Sequence, residues 1–293
     1  MPELTTQAVN SVGSKMTVMS WVRHWGSCLL CLVCVTLCIY CVVRVTSYQD
    51  DAATECDWPS MARNAITLDL TYNFTNETIY WQTGATFQLD VEAYPGPGDE
   101  WKQIDQISEK THGGTHLDAP LHCAKGGWSV ADIPIERLMY VPIVKLDIRS
   151  KVQADPEYII TLSDIHDWET RYGRVPDGCL FLVDTGRCRL WPNRTAYMGL
   201  DEKGDRHYPS LAPEAATFLT SERRPYGFGL DGPSLDHYPD LTVHNIIAAA
   251  SLYTTENLAC LSRVPAVGAT GFVLPMKISG ASGAPVRVVA TLP

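Results

Sequence analysis

Between Thr111 and His122 the chain reads Thr-His-Gly-Gly-Thr-His-Leu-Asp-Ala-Pro-Leu-His. Three of its eight histidines and one aspartate fall within these eleven positions from His112 to His122. His112 and His116 are four apart and would share one face of a helix, but Gly113-Gly114 makes a helix unfavourable. In an extended chain four residues cover ~13 Å, too far for two imidazoles to meet one ion. The glycines therefore predict a bend that brings both rings to one point. Asp118, two beyond His116, lies on the same side of a strand as His116. Two imidazoles and a carboxylate suit a divalent metal, Zn²⁺ or Mn²⁺. Pro120 stiffens the chain after Asp118 and leaves His122 as a fourth group close by. The rival reading, surface or core histidines without a metal, fits a lone histidine better than this packed arrangement.

The remainder of the 293 residues has room for a core around such a site: 45% are apolar and 19% charged. Acidic side chains outnumber basic ones, 33 to 23, for a net charge of −10. That balance excludes a nucleic-acid binder, which needs a basic face for phosphates. Residues 66–72 alternate and read as a strand, 141–147 as another, and 179–183 as a buried one. Helices are predicted over 163–172 and 213–220, with Pro213 at a first helical position. Residues 228–231 read as a short strand, Thr242 as the cap of a helix running to Ala250, and 286–290 as a terminal strand. Interleaved strands and helices indicate an α/β fold, here one catalytic domain over residues 63–293.

The N-terminal part is different. Trp25–Val43 is a run of 19 residues without a formal charge, rich in Cys, Leu and Val towards its end. It falls between a signal-peptide core and a full bilayer span. Basic residues precede it and Asp50, Asp51 and Glu55 follow, which places the N-terminus in the cytoplasm and the body outside. Residues 1–24 are thus expected to form a cytoplasmic segment, 25–44 a signal-anchor or cleaved signal peptide, and 45–62 a linker. The body is then extracellular or luminal, on a type II single-pass anchor or secreted. Sequons at Asn73, Asn76 and Asn193 agree with that placement. Five cysteines lie in the apolar run and five in the body, an odd number whose pairing the sequence leaves open.

Two other hydrolase chemistries lack their parts. His112-Gly113-Gly114 could belong to the oxyanion hole of an α/β-hydrolase, but no Gly-x-Ser-x-Gly elbow occurs. Asp184-Thr185-Gly186 matches an aspartic-protease triplet, but a second is missing.

His112–His122 resembles the HxGTHxDxPxH signature of the cyclase-like, metal-dependent kynurenine formamidase and isatin hydrolase family. Further blocks keep family order: Asp132-Ile133-Pro134-Ile135-Glu136; Tyr208-Pro209-Ser210-Leu211 with Pro213-Glu214-Ala215-Ala216; Gly229-Leu230-Asp231-Gly232-Pro233-Ser234-Leu235-Asp236; Glu256-Asn257-Leu258; and Gly280-Ala281-Ser282-Gly283. The resemblance implies a swivelling β/β/α fold and a homodimer. It implies one or two divalent ions, with ligands at His112, His116 and Asp118, and Asp118 bridging to a second ion held by His244 and Glu256. It implies His122 as acid/base and Trp81 as a substrate contact, although the family's W-P-G-D reads Trp81-Gln82-Thr83-Gly84 here. The implied reaction is hydrolysis of a small non-peptide amide: N-formyl-L-kynurenine first, as in tryptophan catabolism, and isatin-like cyclic amides next. The alternative is a catalytically silent extracellular binding module on the same fold. His244 and Glu256 are twelve apart, ~18 Å along a straight helix, so the helix must end between them; Thr254-Thr255 offers a β-favouring break, which predicts a helix and then a returning strand.

Overall fold

A computed structural model describes residues 65–95, 98 and 100–292. The predicted cytoplasmic segment, hydrophobic run and linker lie outside the described residues, as do Cys56 and the cysteines of that run. Among the described residues no helix is long and apolar enough to cross a membrane.

Among the described residues twelve strands follow in chain order. They are β1 (Thr67–Asp69), β2 (Gln88–Pro95), β3 (Trp101–Ser108), β4 (His116–Asp118), β5 (Val141–Asp147), β6 (Ile159–Ile160), β7 (Leu180–Asp184), β8 (Ser210–Leu211), β9 (Gly227–Leu230), β10 (Tyr253–Glu256), β11 (Thr270–Pro275) and β12 (Gly283–Thr291). The helices are α1 (Arg149–Ala154), α2 (Leu162–Tyr172), α3 (Arg194–Met198), α4 (Pro213–Phe218) and α5 (Thr242–Ala249). The main sheet runs β1-β12-β11-β5-β7-β9-β10-β4, and β4 also pairs with β12. That last pairing closes β12 through β4 into a ring and leaves β1 outside it.

The parallel strands explain their own composition. Strands buried on both faces read as continuous apolar runs. In β7, Leu180 and Leu182 join one core cluster with Ile143, Leu117 and Val288, while Phe181 and Val183 face a second. The second cluster takes Ile165 and Trp168 from α2, Ala215 and Ala216 from α4, and Val243 and Ile247 from α5. Helical spacing of three in α2 and four in α5 puts each of those pairs on one face. A fully buried Leu, Val or Phe side chain contributes about 1.5–3 kcal/mol, so this double-sided packing makes β5, β7 and β9 the rigid base of the unit.

The α/β expectation holds, and the strand at 141–147 is found with the same bounds. Two local readings are corrected. The helix from Pro213 ends at Phe218 and passes into a wider turn over Leu219–Arg223. Thr242 does not cap α5; it is the first helical residue. The Asp236 carboxylate caps that helix instead, accepting the backbone N–H of Val243 at 2.6 Å and of His244 at 3.0 Å. The helix and returning strand expected between His244 and Glu256 are found, with Thr254 and Thr255 inside β10. The reversal falls just before them, where Ser251 has φ +57°. The β2–β3 hairpin was not expected. Its signal was the alternation of Leu89-Asp90-Val91-Glu92 followed by Pro95-Gly96-Pro97-Gly98. Leu89 and Ile107 are directly opposed across it and are both about half exposed.

Candidate active site

Strand β4 carries the first two groups. His116 and Asp118 point to the same side, and the intervening Leu117 is fully buried in the core. Neighbouring strands fix what they face. Glu256 at the end of β10 pairs with His116, and Gly283 of β12 pairs with Asp118. A Cβ on Gly283 would lie 2.5 Å from His112 Cε1, so only glycine admits the His112 ring here. The chain reaches that point through Gly114, whose φ of +57° suits a residue without a side chain. The predicted bend between His112 and His116 is therefore present.

The resulting contacts are short. His112 Nδ1 lies 2.6 Å from Asp118 Oδ1, and His112 Nε2 lies 2.9 Å from Ser282 Oγ. His116 Nε2 lies 3.3 Å from Asp118 Oδ1 and 3.7 Å from Glu256 Oε2. His244 Nε2 approaches Asp118 Oδ2 at 3.5 Å and Glu256 Oε1 at 3.2 Å. His122 closes the short turn Pro120–His122. Its ring stacks on His112 with centroids 4.1 Å apart and stands 6.0 Å from His244.

Hydrogen bonds behind the cluster orient two of the rings. His116 Nδ1 donates to the Gly114 carbonyl at 3.0 Å, which also accepts Asn257 Nδ2 at 2.7 Å. His244 Nδ1 meets Asp236 Oδ2 at 2.5 Å. Both histidines therefore present Nε2 to the carboxylates, the arrangement that second partners impose on metal-ligating imidazoles. Asp236, Asn257 and Ser282 were present in the sequence blocks without an assigned role. Their function depends on loop placement and strand register, which no local pattern encodes.

Charge follows the same geometry. Burial alone pushes the His116 imidazole down, but Asp118 and Glu256 raise its pKa to about 9. His244 is also raised, because Asp118, Asp236 and Glu256 outweigh its burial. Burial acts to raise Asp118, but His116 and the bonds from His112 and His244 hold it well below the carboxylate range. Glu256 is raised by burial and by the Asp118 charge. His122 is exposed at the rim, yet the side stacked on His112 is shielded from water. That desolvation outweighs the pull of Asp118, and with the charges of His112, His244 and His116 it lowers the pKa to about 4.

Two sets of ligand atoms lie within 4.8 Å of one another: His116, Asp118 and Glu256, and His112, Asp118 and His122. Glu256 Oε1 is buried without a hydrogen bond among the described residues. Nitrogen and carboxylate donors in this number fit a divalent first-row ion. His112, His116, Asp118, His122, His244, Glu256 and Trp81 all line one cavity of about 310 Å³. Tyr80, Met198 and Tyr238 add apolar wall, and Ser234 and Asn257 add polar groups. The sequon asparagines Asn73, Asn76 and Asn193 are exposed and do not line it. Of the body cysteines, Cys188 and Cys260 are joined and Cys123 and Cys179 are free.

Residues 68–237 match the family model "Putative cyclase". The chain is 28% identical over 193 residues to an isatin hydrolase of Roseibium aggregatum, covering 62% of this chain and 72% of that protein. It is 25% identical over 227 residues to a kynurenine formamidase of Salinibacter ruber, covering 76% of this chain and 95% of that protein. Isatin hydrolase A from Ralstonia solanacearum superposes with a TM-score of 0.74 at 27% identity, over 83% of this chain and 99% of that one.

Proposed function

From the premise that the chain belongs to the Cyclase family, we propose that it is a metal-dependent hydrolase acting on the C–N bond of a small non-peptide amide. The observation that carries this reading is convergence. Groups from β4, β10, α5 and the turn at His112 meet on the floor of one apolar-walled cavity, with His122 at its rim. His112, His116 and Asp118 would hold one Zn or Mn ion, and Asp118 with His244 and Glu256 a second. A bound ion supplies Lewis acidity, which acidifies water and polarises a carbonyl.

The chain's own residues do the rest. Asp118 and Glu256 fix the charge of the floor, and Asp236 and the Gly114 carbonyl keep His244 and His116 aimed at it. His122, at the rim beside His112, accepts the proton of the attacking water and returns it to the leaving nitrogen. Trp81 and Tyr238 cover the organic part of the substrate and keep water from its outer face. N-formyl-L-kynurenine and an isatin-like cyclic amide are the substrates to try, since relatives are named for both reactions.

The decisive experiment is metal analysis of the purified domain, with both amides assayed before and after chelation. Bound metal and chelator-sensitive turnover are expected. Full activity without metal would overturn the reading, and bound metal without turnover of any amide would favour a silent binding module.

We also infer that the domain works outside the cytosol. The Cys188–Cys260 disulfide suits an oxidising compartment, and the three sequon asparagines are exposed. A mass decrease on enzymatic deglycosylation of cell-expressed protein is expected; a cytosolic, unglycosylated product would refute it. A homodimer is the assembly we propose, since Leu89, Val91 and Ile107 leave apolar surface on the hairpin.

A further inference from the structure

Arg206 takes no part in the chemistry above, yet it touches both aromatic walls of the cavity. Its guanidinium carbon lies 4.0 Å from the ring centroid of Trp81 and 4.9 Å from that of Tyr238. Its Nη2 donates to the Trp81 carbonyl at 3.0 Å, and Arg194 Nη2 donates to the same oxygen at 3.3 Å. The two rings stand 6.3 Å apart, tilted by 52°. Arg206 itself does not line the cavity. Among the described residues no carboxylate lies within ion-pair distance of Arg206 or Arg194, although the chain carries a net charge of −10. The guanidinium is thus held by two π faces and a carbonyl. A planar fork can satisfy that geometry and an ammonium cannot.

We propose that Arg206 is a positioning residue that holds Trp81 and Tyr238 as the walls of an aromatic slot, and that the slot takes an aryl amide in preference to one without an aromatic ring. This rests on the amidohydrolase reading.

The test uses metal-loaded protein and two formamides: formanilide, and N-cyclohexylformamide without the flat ring. Wild type should favour formanilide over the cyclohexyl compound by about ten-fold or more in kcat/KM. Arg206→Ala should raise KM for formanilide about ten-fold, within the range of a desolvated cation–π pair. It should leave kcat within about two-fold and erase the advantage over the cyclohexyl compound. Arg206→Lys, which keeps the charge and loses the fork, should recover part of that advantage. Metal content and melting temperature of each variant report whether the fold survives. Benzamide binding, read as tryptophan quenching that disappears in Trp81→Phe, needs no turnover and should weaken in Arg206→Ala. If no amide is hydrolysed but benzamide binding depends on Arg206, the amidohydrolase reading fails and the slot stands. No preference for formanilide over the cyclohexyl compound, or KM and quenching unchanged in Arg206→Ala, overturns the proposal.

Discussion

Nε2 of His244, in the first turn of α5, lies 3.2 Å from Oε1 of Glu256, at the end of β10, although the chain places the two twelve residues apart. The helix stops at Ala249, and Ser251 turns the backbone with φ +57°. β10 then runs back beside β4. The Asp236 carboxylate secures the helix end of this relationship, since it caps α5 and also holds His244 Nδ1. Asp118 and Asp236 should therefore differ in degree. Asp118→Ala removes the carboxylate shared by both ligand sets and should abolish metal binding and activity together. Asp236→Asn loosens the orientation of one ligand and should weaken metal affinity by ~10–100-fold. Competition with a chelator of known affinity checks both. Equal losses would mean that Asp118 is not a ligand.

His122 is predicted to separate proton transfer from metal binding. It stands at the rim, stacked on His112, rather than buried beside Glu256. His122→Ala should leave metal content nearly intact and lower kcat by ~10²–10⁴-fold. KM should move little, because a proton-transfer group acts mainly in the transition state. Since His122 also falls within ligand distance of His112 and Asp118, metal analysis of the variant decides its role. Loss of metal would make it a ligand, and retention of both metal and rate would place the base elsewhere.

These residues differ in how visible they were. The cluster from His112 to His122 was legible because four chemistry-bearing side chains and two glycines share one short segment. The buried strands β5 and β7 were legible because both faces are apolar. His244 and Glu256 came only through resemblance to a family pattern. Asp236, Asn257 and Ser282 owe their roles to register and loop placement, as when β12 brings Gly283 opposite Asp118. Ring closure was hidden for the same reason: β4 is three residues long, two of them polar, and tertiary pairing alone makes it a strand. The β2–β3 hairpin alternates but stays exposed along β3, so it lacks the apolar contrast that marks a core strand.

The disulfide should matter to stability more than to chemistry. Cys188 and Cys260 are separated by 72 residues, and closing a loop of that size restricts the unfolded chain by about 4 kcal/mol. Cys188 also anchors a wall of aromatics, since its carbonyl accepts Tyr72 Oη at 3.1 Å and Tyr72 stacks on Trp191 at 4.2 Å. Cys188→Ser with Cys260→Ser should lower unfolding free energy by about 2–4 kcal/mol in non-reducing guanidinium titrations. Metal content of the folded fraction should be unchanged. A double variant as stable as wild type would mean that the bond restricts little in the unfolded state.

Asp231 gives the molecule a stability term of unusual sign. Its side chain is fully buried and bonded to the Thr185 N–H and hydroxyl, each at 2.7 Å, and to the Cys188 N–H at 3.4 Å. Burial, reinforced by the Asp184 charge, outweighs those bonds and raises its pKa to about 6. An unfolded aspartate titrates near ~3.9. The folded state thus binds this proton more tightly than the unfolded state. The contribution is fully present below about pH 4 and is lost as pH rises through about 6, by about 3 kcal/mol. Asp184, also raised by burial, acts in the same direction, whereas Asp118 and Asp164, both lowered, act oppositely. The total curve therefore mixes signs, and a difference isolates Asp231. Asp231→Asn keeps an acceptor for Thr185 and removes the titration. Wild-type minus variant stability should then fall between about pH 4.5 and pH 7 and stay level above it. Denaturant titrations at about pH 4.5, 6 and 7.5 measure that difference, and one that stays constant would mean Asp231 is ionised throughout, with its three donors outweighing burial.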